Sequence, residues 1–273
     1  SKPSLSVVDE KNFYHCFACG AHGDIVKFTM ETEGLNFIES VDKLANLAGL
    51  EVPKQDPMER AKEIHRRTLR EVLEEVTIYF EEFLRKASNK AGLDYLKERG
   101  LSDKTIKSFR LGLAPANSKT FRIDMEERGI QEKLLEEAGL IKKSAGSSST
   151  YDYFRGRLIF PISDRRSQII GFGGRALNNQ EPKYLNSPET SLFHKGQILY
   201  QGRMTREVAH KTGQLIVVEG YMDVISLAEA GINNAVAPLG TALTEGQIRE
   251  LWKFSAEPII CFDGDIAGVR AAV

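Results

Sequence analysis

Four carboxylates stand close behind two short apolar runs. Leu215-Ile216-Val217-Val218 leads into Glu219-Gly220-Tyr221-Met222-Asp223, and Pro258-Ile259-Ile260-Cys261-Phe262 leads into Asp263-Gly264-Asp265-Ile266-Ala267-Gly268. In Asp263-Gly264-Asp265 the glycine permits a tight bend, so two carboxylates can converge on one hard cation such as Mg2+. Glu219 could ligate the same cation or move a proton, and Asp223 ranks below these three as a further metal or supporting residue. A plainer reading makes Glu219 and Asp263 helix N-caps or first-turn acids, as in many strand-turn-helix units. Either motif alone would favour that reading; both together, in this order, favour a metal site.

These side chains need elements to place them. Each apolar run is short, rich in β-branched residues and followed by helix-like sequence, which predicts a buried parallel strand feeding a helix. Between them Asn234–Leu239 reads as another strand, with Gly240-Thr241 turning into a helix over Thr244–Phe254. The resulting βαβαβ order places Glu219, Asp263 and Asp265 at carboxyl strand ends, where open α/β sheets carry their sites.

Upstream lies a basic, strand-rich stretch. Residues 151–211 hold ten Lys/Arg against five Asp/Glu, whereas residues 212–273 hold three against eight. Arg155-Gly156-Arg157 precedes a strand at Leu158–Ile162, and Gln168–Gly171 runs into Phe172-Gly173-Gly174-Arg175, followed by Pro182-Lys183-Tyr184-Leu185-Asn186-Ser187-Pro188 and His194-Lys195-Gly196. Glycine beside arginine lets a backbone approach a phosphate while the guanidinium forks onto its oxygens. Tyr184 could stack on a base. For any one of these residues an exposed basic hairpin is an equally good account.

Near the start, Cys16-x-x-Cys19 with Gly20 behind it suits two thiolate ligands of a tetrahedral zinc, half of a closed site. Apolar residues then recur at helical spacing over 24–50. The stretch Asp56-Pro57-Met58-Glu59 starts a long helix with Leu69, Val72, Leu73, Val76, Phe80, Phe83 and Leu84 on one stripe. Pro53–Pro57 is the expected domain boundary. Gly100 stops a further helix, Ser102 caps the next over Asp103–Phe109, and Ser144–Thr150 reads as a flexible loop.

The acidic motifs resemble the Toprim signature of topoisomerases and bacterial primases. The form Glu219-Gly220-Tyr221-Met222-Asp223, with the Cys16/Cys19 knuckle and the Lys183–Pro188 wording, resembles the bacterial replicative DNA primase family of DnaG type. The resemblance runs in family order over essentially the whole chain. It implies an α/β (α+β overall) chain: a partial zinc ribbon over 1–53, a helical and mixed basic subdomain of an RNA polymerase core over 54–211, and a Toprim-like parallel βαβ sheet with flanking helices over 212–273. It implies a DNA-directed RNA polymerase, a nucleotidyltransferase making RNA primers on single-stranded DNA from ribonucleoside triphosphates. Glu219, Asp263 and Asp265 would be catalytic, and Mg2+ or Mn2+ would sit on them with Asp223. Cys16 and Cys19 would hold structural zinc, with His15 and His22 as ordinary surface histidines. Arg157, Arg175, Lys183, Tyr184, Asn186 and Lys195 would line a groove for nucleic acid or nucleotide. The implied partners include a replicative helicase and single-stranded DNA-binding protein, and the implied location is the bacterial cytoplasm at the replication fork.

The bulk numbers agree with a globular protein. At 273 residues, 41% hydrophobic and 27% charged, the chain has room for two domains and no apolar run near membrane-spanning length. No signal-peptide core opens it, and three cysteines, two of them in one knuckle, suit a reduced compartment. With the resemblance, the sequence is expected to be part of a longer chain. A first Cys-x-x-His knuckle would lie before Ser1, and a further acidic motif and a helicase-binding region beyond Val273. Residues 1–273 alone are therefore not expected to prime. Other Toprim enzymes, topoisomerases or nucleases, are a weaker fit because nothing marks a tyrosine nucleophile in a separate domain. A non-catalytic zinc-ribbon nucleic-acid binder is weaker still, because Glu219, Asp263 and Asp265 are retained.

Overall fold

The computed structural model describes residues 4–50, 57–117, 119–144, 149–178, 180–240, 243–266 and 268–269. The expected capping acid Asp56, most of the Pro53–Pro57 boundary, the middle of the Ser144–Thr150 loop, Thr241 and Ala267 lie outside the described residues. The chain divides into two compact units, Ser1–Ala61 and Lys62–Val273.

In the first unit β1 (Leu5–Val8), β2 (Phe13–Cys16) and β3 (His22–Gly23) form an antiparallel sheet in that order, followed by α1 (Ile25–Glu33) and α2 (Phe37–Leu47). Both helices start as their sequences dictate: the Asp24 side chain accepts from Lys27 N, and Asn36 with Glu39 closes a capping box. α1 packs on β2 through Phe28, whose ring meets that of Tyr14 edge-on at 5.0 Å.

The second unit begins within the long helix α3 (Pro57–Arg85) and continues with α4 (Lys90–Glu98), α5 (Asp103–Ser108), β4 (Gly112–Leu113), α6 (Thr120–Glu127) and α7 (Glu132–Glu137). The predicted stripe on α3 is the buried one: Leu69, Val72, Leu73, Val76, Phe80 and Leu84 all face the core. Ser102 caps α5 as expected, accepting from Thr105 N, and its own N–H and hydroxyl donate to Glu229.

A hairpin of β5 (Ile141–Lys143) and β6 (Thr150–Asp152) precedes β7 (Arg157–Ser163), β8 (Ile169–Ala176) and β9 (Tyr184–Asn186). With β4 these form an antiparallel sheet in the order β4-β7-β8-β9. β8 runs straight through Phe172-Gly173-Gly174-Arg175, past the Gln168–Gly171 bounds expected for the strand, and it is buried along its whole length.

The glycines there admit aromatic rings, which corrects the expectation of a backbone open to phosphate. A Cβ on Gly173 would lie 2.6 Å from ring atoms of Tyr221, and one on Gly174 would lie 2.8 Å from Phe154. Deleting the side chain lets a ring lie against the strand.

The last part contains β10 (Leu199–Tyr200), α8 (Gly202–Thr212), β11 (Ile216–Val217), α9 (Tyr221–Glu229), β12 (Ala235–Pro238), α10 (Glu245–Leu251) and β13 (Ile259–Ile260). β11 pairs in parallel with β12 and β13, and β10 closes the other edge antiparallel to β12, in the order β10-β12-β11-β13. This is the expected βαβαβ sheet, with an edge strand drawn from residues before 212. Leu215 and Val217 are fully buried, but Ile259 is 49% and Ile260 40% exposed, because β13 is an edge strand rather than the buried strand expected.

One core joins the two sheets and the helices. Leu84, Leu96, Leu101, Ile106, Leu158, Phe160, Tyr200, Val218, Tyr221, Val224 and Leu239 belong to a single buried cluster. At its centre the Tyr221 ring stacks on Phe160 (5.3 Å between centroids, 14° between planes) and meets Tyr200 edge-on at 4.9 Å.

Gly173→Ala should therefore destabilise the chain by about 1–3 kcal/mol, the usual cost of overpacking a core. Denaturant unfolding measures it. Tyr221→Leu in the same chain should recover part of that loss, so that the double variant is less destabilised than the two single effects combined. Simple additivity would show that the clash is taken up elsewhere.

Candidate active site

The site is built where β11 and β13 end. Because Val217 lies beside Ile260 in parallel register, the residues that follow each strand emerge side by side. Glu219 Oε1 accepts a hydrogen bond from Asp263 N at 2.9 Å, joining the two acidic segments. Asp223, in the first turn of α9, accepts from Gly220 N at 3.0 Å. Asp265 Oδ1 accepts from Gly268 N at 2.8 Å, and Val269 N donates to Asp265 O at 3.0 Å.

Capping thus falls to Asp223 and Asp265 rather than to Glu219 and Asp263, for which the plainer reading expected it, and Glu219 instead clamps the neighbouring loop. Gly268 closes this arrangement. A Cβ there would lie 2.1 Å from Asp263 O and 2.5 Å from Glu219 Oε1, so only glycine fits.

The electrostatics are those of acids crowded together. Loss of hydration and the nearby Asp263 carboxylate push Asp223 above its ordinary pKa. Glu219 and Asp265 each commit one oxygen to a backbone N–H and keep Oε2 and Oδ2 for another partner. An all-oxygen, anionic set that repels itself suits a hard divalent cation. Among the described residues, however, no three His, Cys, Asp or Glu side chains are gathered closely enough to hold a metal.

The basic residues divide. Arg157 is buried at 1% exposure, inside the protein rather than on a groove wall. It donates from Nη1 to Pro182 O at 2.7 Å and Lys183 O at 3.3 Å, and burial lowers its pKa. It therefore supports the backbone that carries Lys183 and Tyr184.

Arg175 stands directly across from Tyr184 on β9 and donates from Nε to the Tyr184 hydroxyl at 3.2 Å. Tyr184 is 44% exposed, with Lys183 Nζ 5.9 Å from its ring centroid. Asn186 pairs with Gly173 across the strands, and its Nδ2 donates to Leu239 O at 3.0 Å, tying β9 to the segment after β12. Its Oδ1 is buried without a partner among the described residues. Lys195 is exposed, and its carbonyl accepts from Gln247 Nε2 at 3.0 Å.

In the first unit, Cys16 and Cys19 flank a tight turn in which Gly20 N donates to Cys16 O at 2.8 Å. Backbone N–H groups of Cys19 and Ala18 directed at the Cys16 sulfur lower its pKa to about 7. Such N–H···S support favours a thiolate, so the turn fits zinc as two of its four ligands. His22 Nδ1 is engaged with Gly20 O at 2.9 Å, and the His15 ring lies 6.0 Å from that of His22.

Reading the sequence gave no role to Tyr221, Gly268 or Tyr95. Tyr221 was within the quoted motif, but only its distant partner Gly173 reveals why a ring is there.

Comparison with known proteins agrees with this architecture. Residues 1–60 match the CHC2 zinc finger family, 79–206 the N-terminal domain of the DNA primase catalytic core, and 213–273 the Toprim domain. The chain is 43% identical over 273 residues to a DNA primase of Pseudomonas putida, with 99% of this chain and 41% of the relative aligned. It is 42% identical over 276 residues to the Escherichia coli K12 DNA primase, again over 99% of this chain but 47% of the relative. The chain thus spans less than half the length of these curated relatives.

Among solved structures, the RNA polymerase domain of Mycobacterium tuberculosis primase DnaG is similar at a TM-score of 0.69 and 30% identity, covering 76% of this chain and 70% of that one. A DnaG primase catalytic domain bound to ssDNA matches at a TM-score of 0.69 and 40% identity, covering 76% and 65%. The zinc-binding and RNA polymerase domains of Aquifex aeolicus primase match at 0.68 and 34%, covering 100% and 65%.

With Cys16 and Cys19 supplying two of four ligands, this chain should retain well under one zinc per monomer after passage over a chelating column, read by elemental analysis. One tightly held zinc per monomer would mean that His15, His22 or another residue completes the site.

Proposed function

The chain belongs to the bacterial DNA primase family of DnaG type, and we propose that it contributes the site at which single-stranded DNA is copied into short RNA primers from ribonucleoside triphosphates. The observation that carries this reading is the joint between acidic and cationic parts: β11 and β13 lead into Glu219 and Asp263, joined by a hydrogen bond, and Asn186 ties β9, which carries Tyr184 with Lys183 just before it, to the segment after β12 in the same sheet.

Primer growth is nucleotidyl transfer. A primer 3′-hydroxyl attacks the α-phosphate of a triphosphate, and pyrophosphate leaves. Glu219, Asp263 and Asp265, with Asp223 beside them, are the residues that would hold Mg2+ or Mn2+ once drawn closer together than in this structure, and the cation would supply charge neutralisation at the reacting oxygens. The Asp263 N–H holds Glu219 through Oε1, which leaves Oε2 as the atom free to receive the hydroxyl proton. Asp265 keeps its position by capping the turn at Gly268. Arg175, Lys183 and Lys195 bind phosphates, Tyr184 offers a face to a base, and Arg157 holds the Lys183 backbone from behind. Zinc on Cys16 and Cys19 would be structural.

We further propose a replicative helicase and single-stranded DNA-binding protein as partners, and the cytoplasmic replication fork as the place of action. No helix among the described residues is long and apolar enough to cross a membrane.

The test is incorporation of labelled ribonucleotides on a single-stranded template by a protein carrying this chain at the length of its relatives. Glu219→Gln or Asp263→Asn should lower incorporation at least about 100-fold while template binding survives, because each removes an interaction made at the reacting phosphate. Lys183→Ala and Lys195→Ala should instead weaken template or triphosphate binding and reduce the salt slope by about one. Incorporation that persists in both acidic variants would overturn this reading.

A further inference from the structure

We propose that Tyr95, on α4, is a positioning residue that holds the Arg175 guanidinium ready for a phosphate. This inference rests on the phosphate-binding reading of Arg175 and adds a residue from a different part of the chain to it.

The starting observation is a buried cation without an anion. Arg175 is only 7% exposed, yet among the described residues no carboxylate pairs with it, and its one side-chain hydrogen bond goes to the neutral Tyr184 hydroxyl. Buried charges are ordinarily paired, because losing hydration without a counter-charge is costly. Here two aromatic faces take the place of the acid. The Arg175 Cζ lies 4.4 Å from the Tyr95 ring centroid and 5.7 Å from that of Tyr184. The negative face of a ring attracts a guanidinium but carries no net charge. The stack therefore holds the group over the ring faces while leaving its positive charge unneutralised. A carboxylate at position 95 would also hold Arg175, but it would compete with a phosphate for the same N–H groups.

Tyr95 gathers a second cation as well. The exposed Arg99, one helical turn along, has its Cζ 5.4 Å from the same ring, and Lys183 approaches Tyr184 from the far end. Like charges collected on two rings repel each other, and an incoming phosphate relieves that repulsion. Tyr95 itself is anchored from below, packed against the shared core of Leu96, Tyr221 and Val224. Position 95 is 80 residues before Arg175 in the sequence, so the stack is how the helical part of the chain reaches the strand.

The experiment measures binding of a labelled oligodeoxythymidylate and, separately, of a ribonucleoside triphosphate, each over a range of salt, with this chain and its variants. Tyr95→Phe keeps the ring and should bind within about twofold of the parent. Tyr95→Leu should weaken binding about five- to tenfold and make the salt slope shallower by about one phosphate. Loss confined to the oligonucleotide assigns the phosphate to the template backbone, and loss confined to the triphosphate assigns it to the nucleotide.

Combining Tyr95→Leu with Arg175→Gln should cost little beyond Arg175→Gln alone, since Tyr95 acts through Arg175. Thermal unfolding of each variant controls for lost structure. Unchanged binding in Tyr95→Leu while Arg175→Gln binds weakly, or full additivity of the two, overturns the role of Tyr95 and leaves the groove standing. Unchanged binding in Arg175→Gln overturns the phosphate-binding reading and this inference together.

Discussion

The seating of one tyrosine ring on one glycine holds the candidate site together. Tyr221 lies against the bare backbone of Gly173, between Phe160 and Tyr200, and a single methyl group at position 173 would occupy the space of its ring. The contact is short in both sequence directions from the chemistry. Glu219 is two residues before Tyr221, and Arg175 is two residues after Gly173 on the same face of its strand. Asn186 is directly opposite Gly173, and Tyr184 directly opposite Arg175. A parallel sheet bearing acids and an antiparallel sheet bearing cations are therefore locked at one point, and the residues that must act together radiate from it.

The two sides use complementary solutions to crowded charge. On the acidic side, carboxylates are steadied by backbone N–H groups from Asp263, Gly220 and Gly268, which hold them without cancelling their charge. On the cationic side, Arg175 is steadied by ring faces and a phenolic hydroxyl, which likewise leave the charge in place. Neither side neutralises itself among the described residues, although elsewhere the same chain pairs the half-buried Arg110 with Glu74 and Glu81. Charge left uncompensated on both sides suits a site whose ligands are a metal cation and a phosphate chain.

Much of this was legible in the sequence where local chemistry decides the outcome. The stripe on α3, the cap at Ser102, and the strand–helix alternation that puts Glu219 and Asp263 at strand ends all follow from side-chain periodicity and short-range hydrogen bonding. What could not be read depends on partners far along the chain. Phe172-Gly173-Gly174-Arg175 looked like backbone open to a phosphate, because glycine is ambiguous until the rings of Tyr221 and Phe154 are seen above it. Arg157 looked like another groove cation, since nothing in its neighbourhood shows that the Pro182 carbonyl will receive it inside the protein. The run Ile259-Ile260 had the composition of a buried strand, but among the described residues it lies at the sheet edge, and composition does not show a strand's place in the sheet. Tyr95 sat in an ordinary helix, and only the fold brings Arg175 over it.

If the Tyr221–Gly173 contact couples the two sheets, they should open as one cooperative unit. Native-state hydrogen exchange of the Tyr221→Leu variant tests this directly, read at the amides of β8 on one side and of β11 and Val218 on the other. The coupling predicts that protection falls on both sides together and by the same free energy. Loss of protection confined to β11 and α9, with β8 unchanged, would contradict it and leave the acidic and basic halves as neighbours that fold separately.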